Sequence, residues 1–190
     1  MKTGLFFGSF NPVHIAHMAI ANYMVTFAGL DELWFVVSPQ NPLKDPNMLA
    51  GNASRYEMLK IAAGSDSRFK VSDVEFSLPT PSYTIHTLDF LALQYPGHKF
   101  VIVMGSDGLN TFNQWKEYRT IISRYERFVY PRSTGEPEIL PIENGRLIKA
   151  PVMEVSSTFI RRSIQEHLNI SHFLPHGVYE YILENRLYGS

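Results

Sequence analysis

Apolar and polar positions along the chain follow two periods. Unbroken apolar runs over 3–7 (TGLFF), 32–39 (ELWFVVSP) and 99–107 (KFVIVMGSD) predict buried strands, the last being the cleanest. FKVSDVEF, 69–76, alternates like a half-buried strand. ERFVYPR, 126–132, is a strand ended by proline, and RLIKAPV, 146–152, is a short one. Segments of helical period lie between them. Residues 13–28 carry Ile15, Met18, Ala19, Ala21 and Tyr23 among their apolar positions. A helix near 54–64 starts from Asn52 or Ser54, and a helix over 84–95 stops at Pro96-Gly97. Short helices are expected in 108–115 (GLNTFNQW) and 117–124 (EYRTIISR), a serine-led helix over 156–167, and an amphipathic one over 175–187. The proline-bearing stretches 40–52 and 133–145 read as loops.

Strands alternating with helices argue a parallel α/β sheet, and right-handed crossovers then make a Rossmann-like three-layer sandwich with a mostly parallel central sheet. The 190 residues suit a single domain, 1–190. In such sheets a ligand sits outside the carboxyl ends of the strands. The segments just after the strands are 8–17, 38–45, 77–84, 104–109 and 131–134, and nearly every chemically unusual residue falls in the first four.

Composition narrows the function classes. Hydrophobic residues make up 45% and charged residues 18%, an ordinary globular balance. A net charge of −1 advertises neither nucleic acid nor an anionic membrane as partner. The absence of cysteine excludes disulfides and thiolate metal sites. No apolar run approaches membrane-spanning length, and the opening MKTGLFFGSF reads as a strand and not as a signal peptide, so the expected location is the cytoplasm.

The stretch GSFNPVHIAH, 8–17, carries the most chemistry. Gly8 allows close backbone approach or a positive φ, Ser9 and Asn11 offer short polar groups, and Pro12 stiffens the turn. The helix that follows presents free N–H groups and a positive dipole end, an anion site. His14 and His17, three apart, project from one side of its first turn and can donate to phosphate oxygens. No carboxylate stands nearby to complete a zinc set. A turn with a capping serine and two incidental histidines is the plainer alternative. The stretch is neither a P-loop nor a G-x-G-x-x-G fingerprint.

Other segments add to it. Ser82 or Thr84 in PSYTIHTL, 81–88, suits a helix N-cap. Gly105 permits close packing against a ligand plane, and Asp107 can accept from ribose hydroxyls or cap the following helix. Trp115 suits ring stacking or the core equally. Ser156, Ser157 and Thr158 form a hydroxyl-rich helix start with Arg161 one turn in, while Arg162 points to solvent. Lys44 sits in a loop, where lysine is usually solvated, and Arg55 supports the site or makes a surface salt link.

GSFNPVHIAH resembles the (T/H)xGH signature of the nucleotidylyltransferase superfamily, and most closely the opening GG-(S/T)-F-D-P-x-H-x-G-H of the bacterial nicotinate-nucleotide adenylyltransferases. It departs at Phe7, Asn11 and Ala16. NPLK, PSYTIHTL (His86 standing for aspartate), GSDGLNTFNQW and VSSTFIRRS resemble that family's later motifs in the same order over roughly residues 3–187. The resemblance implies adenylyl transfer from ATP to nicotinate mononucleotide, with Mg2+ arriving with ATP and no dedicated metal site. It implies that His14, His17, Lys44 and Arg161 act on the reacting phosphates. Gly8, Ser9, Phe10, Gly105, Asp107, Ser156, Ser157 and Thr158 would bind ATP, and Ser82, Tyr83, Thr84 and Trp115 the pyridine nucleotide. A nicotinamide-mononucleotide or phosphopantetheine adenylyltransferase, or a nucleotide-binding module without chemistry, stands as alternative, and a homo-oligomer is left open.

Overall fold

The computed structural model describes residues 1–40, 49–132 and 142–190. Six strands, β1 (Lys2–Gly8), β2 (Glu32–Val37), β3 (Phe69–Ser72), β4 (Lys99–Gly105), β5 (Glu126–Tyr130) and β6 (Gly145–Leu147), form one sheet in the order β3-β2-β1-β4-β5-β6. Every neighbouring pair is parallel. The chain builds outward from β1 through β2 to β3, then crosses back to start the other half at β4. The strand order therefore reverses between β1 and β4, and the crevice at their carboxyl ends is the switch point where such sheets bind ligands.

Side-chain alternation explains the unbroken apolar runs, because both faces of a parallel sheet are covered. On one face Phe6, Phe35, Val37, Val103 and Phe128 pack against α1 (Ile15–Thr26), α2 (Asn52–Ala63), α5 (Ser157–Gln165) and α6 (Val178–Glu184). On the other, Leu5, Trp34, Val36, Ile102 and Val129 meet α3 (Thr84–Gln94) and α4 (Tyr118–Arg124), with Phe112 of the 3-10 helix Ser106–Gln114. This is the expected three-layer sandwich. At the amino edge, away from the crevice, buried Glu32 takes hydrogen bonds from Thr3 Oγ1 and Trp34 Nε1, at 3.0 and 2.7 Å.

The differences from the sequence reading are local. FKVSDVEF is strand only over Phe69–Ser72; Val74–Phe76 is a 3-10 turn. That turn carries Glu75 into the interior. Helix α2 starts from Gly51 and not from Asn52 or Ser54, and α3 from Tyr83 with no capping side chain, although Ser82 and Thr84 flank it. The 3-10 helix after β4 starts from Gly105, so Asp107 lies in its first turn and is not its cap. The strand expected over 146–152 ends at Leu147, before Pro151. No helix among the described residues is long and apolar enough to cross a membrane.

Candidate active site

A cavity of about 780 Å3 opens at the carboxyl edge of the sheet, over the switch point. The chain segments after β1, β2, β3, β4 and β5 and the start of α5 all reach it. Of the residues singled out from sequence, Gly8, Ser9, Phe10, His14, His17, Ser82, Tyr83, Thr84, Asp107, Trp115, Ser156, Ser157, Thr158 and Arg161 line it. Lys44 lies outside the described residues. Gly105 is not in the lining. A Cβ there would meet Asp107 Oδ1 and fall 2.8 Å from the Arg132 side chain. It makes room for two residues that do line the cavity, in place of touching a ligand plane directly.

The turn after β1 owes its shape to Phe10. Its φ of 45° puts the positive backbone angle there and not at Gly8. Its ring is 3% exposed and sits edge-on to Phe6, Phe35 and His17. A Cβ on Gly8 would stand 2.8 Å from that ring, so glycine is needed by the aromatic packing beneath the cavity. Of the two readings of Gly8, a positive φ is not found, and close approach to a ligand stays open because Gly8 lines the cavity.

The two histidines are not equivalent. His14 is the N-cap of α1 and 1% exposed, and its ring stacks on that of His17 with centroids 3.7 Å apart. Burial, with Arg132 adding like-charge repulsion, lowers the His14 pKa from 6.5 to about 4, so its ring is neutral at pH 7. Its Nδ1 is buried without a hydrogen-bond partner among the described residues. The backbone N–H of His14 donates to His17 Nδ1 at 3.2 Å. With Nδ1 accepting, the proton of a neutral His17 ring belongs on Nε2, which makes that nitrogen a donor.

Opposite them, Ser156 caps α5 by accepting from the N–H of Phe159 at 3.2 Å. Ser157 Oγ donates to the carbonyl of Pro12 at 2.9 Å. Arg161 Nη1 donates to the carbonyl of Asn11 at 2.8 Å, and Nη2 to Thr158 Oγ1 at 3.3 Å. The first and last motifs are thus bonded to each other, and two helix N-termini open on one cavity. Arg162 is exposed and pairs with Glu166 at 2.8 Å. Trp115 is half-buried: it packs on Phe112, with centroids 4.9 Å apart, and also lines the cavity, so both expected roles are open to it.

Four residues that matter here were missed or undecided in sequence. Arg132, in the strand-end segment 131–134, lines the cavity 3.7 Å from Asp107 Oδ2; only its place after β5 could have pointed to it. Lys116 also lines it and lies over the Tyr83 ring at 4.8 Å. Glu75, 2% exposed, accepts from Thr87 Oγ1 at 2.8 Å, and burial pushes its carboxyl up. Arg55 is fully buried, and among the described residues it makes no salt link. It donates to the carbonyls of Ser9 (2.6 Å), Ser38 (2.9 Å), Ala50 (3.0 Å) and Pro39 (3.4 Å), and to Asn52 Oδ1 at 2.5 Å. His86 sits beside Tyr83, with ring centroids 5.6 Å apart, and is not part of the lining.

A switch-point cavity walled by stacked imidazoles, two helix starts and three cationic side chains defines a Rossmann-like protein built to take a polyanionic nucleotide. The model of the cytidylyltransferase-like family matches residues 5–163. A protein of Flavobacterium johnsoniae named probable nicotinate-nucleotide adenylyltransferase is 45% identical, covering 99% of both chains. One of the same name from Cytophaga hutchinsonii is 42% identical over the whole of both. Among solved structures, Plasmodium falciparum nicotinic acid mononucleotide adenylyltransferase complexed with NaAD superposes with a TM-score of 0.84 at 20% identity, covering 98% of this chain and 97% of that one. The chain belongs to the nicotinate-nucleotide adenylyltransferases of the cytidylyltransferase-like family.

Proposed function

We propose that the protein transfers the adenylyl group of ATP to nicotinate mononucleotide, giving deamido-NAD and pyrophosphate as a step of NAD biosynthesis. The names of the relatives support this reading. The observation that carries it is the joining of two kinds of motif in one cavity. The phosphate-type motifs (His14, His17, Ser156 to Thr158, Arg161) line it together with the helix start Ser82-Tyr83-Thr84.

In the reaction a phosphate oxygen of the mononucleotide attacks the α-phosphorus of ATP in line. The bond from that phosphorus to the α–β bridging oxygen breaks, and pyrophosphate carries the electron pair away. A phosphate monoester is largely deprotonated near pH 7, so no general base is required. Catalysis is then positioning and charge stabilisation. His17 Nε2–H donates to phosphate, neutral His14 holds that ring by stacking, and Arg161 and Lys44 offset charge building on the bridging and leaving oxygens. Gly8, Ser9, Phe10 and the α5 start bound the ATP side, with Asp107 accepting from ribose and Gly105 leaving it room. Ser82, Tyr83, Thr84 and Trp115 bound the pyridine side. Magnesium enters as part of the ATP substrate. Bound to ATP, it would offset negative charge on the phosphates.

Supplying MgATP with nicotinate mononucleotide, nicotinamide mononucleotide or phosphopantetheine, and measuring pyrophosphate release, tests the reading. The nicotinate compound is expected to give the highest kcat/KM. Preference for either other acceptor names a different transferase. ATP binding without pyrophosphate release from any acceptor makes the protein a binding module.

A further inference from the structure

Three carbonyls of the turn after β1 are held by side chains from elsewhere. Arg55 takes that of Ser9, Arg161 that of Asn11, and Ser157 that of Pro12. The Asn11 side chain is held too. Its Oδ1 accepts from the Ala50 N–H at 3.0 Å and from the Tyr188 hydroxyl at 2.9 Å. Tyr188 lies 177 residues further along, in the 3-10 turn Leu187–Gly189. It packs on the core beneath α5 and is not part of the cavity lining. Its backbone is left-handed, with φ of 61°, a conformation that costs a tyrosine energy and persists where surroundings hold it.

We propose that Tyr188 is a positioning residue: its hydroxyl, through Asn11, sets the turn that presents His14 and His17 to the phosphates of ATP. Tyr188 touches no substrate. Asn11 is the hub of the device, since it joins the turn to the loop entering α2 by one hydrogen bond, to Arg161 by a second and to Tyr188 by a third. Aspartate, the residue of the family motif, would bring a carboxylate to the same two donors. Asparagine accepts both bonds with one neutral oxygen and adds no negative charge beside a phosphate site.

The inference rests on the adenylyl-transfer reading, and its test separates the two. Tyr188→Phe keeps the ring and removes the donor. It is expected to lower kcat for pyrophosphate release roughly tenfold, as expected when reacting groups are slightly misplaced. KM for nicotinate mononucleotide should stay within about twofold and the thermal midpoint near that of wild type. Asn11→Ala removes the acceptor, and the double variant should be no slower than Asn11→Ala alone, because one bond is lost either way. A merely structural role would lower the thermal midpoint and leave kcat of the folded fraction unchanged. Tyr188→Phe at a kcat within about twofold of wild type, or additive losses in the double variant, would overturn the proposal. If Tyr188→Phe does not fold, Asn11→Ala removes the acceptor of that bond together with the acceptor of the Ala50 N–H, and an unchanged kcat there overturns the proposal. If wild type turns over no acceptor, the functional reading fails, and ATP affinity becomes the readout. A several-fold weaker Kd in Tyr188→Phe then supports the proposal, and an unchanged one contradicts it.

Discussion

His14 and His17 look alike in the sequence and are opposites in their surroundings. His14 is buried, neutral and stacked, while His17 is oriented by a backbone N–H so that its far nitrogen is the donor. The spacing of three showed that the rings would share a face; it could not show that the first would cap the helix and lose its charge to burial. The His14 shift has a consequence for stability. Its folded pKa, about 4, lies below the unfolded 6.5, so between those values the unfolded chain binds more protons. The contribution of the neutral ring is complete above pH 6.5 and is lost as pH falls toward 4. The slope is at most about 1.4 kcal/mol per pH unit. Glu75, raised by burial, acts in the opposite sense above its unfolded value, so the comparison must be made between variants. Urea denaturation at pH 7 and pH 5 should show wild type losing more stability than His14→Gln over that interval. Equal losses would mean that His14 is not held neutral.

At the scale of elements, Arg55 of α2 ties together three segments that sequence reading treated separately. Its guanidinium reaches the turn after β1, the segment after β2 and the entry to its own helix, with no carboxylate among these partners. A planar fork with five N–H donors suits that arrangement, and an ammonium on a flexible stem does not. Arg55→Lys should destabilise the fold by about 2–4 kcal/mol in chemical denaturation, because several buried carbonyls lose their donor at once. A change under about 0.5 kcal/mol would show that water replaces the fork. Nothing in the sequence separated a buried Arg55 from a surface one. The pattern RYEML places arginine on a helix with apolar neighbours, and only the loops folded over it decide its burial. The same limit explains FKVSDVEF. Alternation predicted one strand, and the interior accepted Glu75 because Thr87, from another helix, supplies a donor.

At the scale of the molecule, the order of strands and helices was legible because both faces of a parallel sheet are covered, which makes its strands continuous apolar runs. The position of the site was legible from the rule that ligands sit at the carboxyl ends of such strands, and the motifs after β1, in PSYT and at the start of α5 do meet there. Residues belonging to no motif were not legible. Arg132 and Lys116 reach the cavity from ordinary positions, and Tyr188 meets Asn11 from far along the chain through one hydrogen bond. Such contacts are properties of the closed fold, and a linear pattern carries no trace of them. In the proposed reaction this cavity performs adenylyl transfer with His17 donating to phosphate. Steady-state pyrophosphate release from MgATP and nicotinate mononucleotide, measured on wild type and His17→Ala side by side, tests it most directly. Turnover by wild type is expected, with a loss of at least about a hundredfold in kcat for His17→Ala and cooperative unfolding retained. A His17→Ala rate within a few-fold of wild type would contradict it.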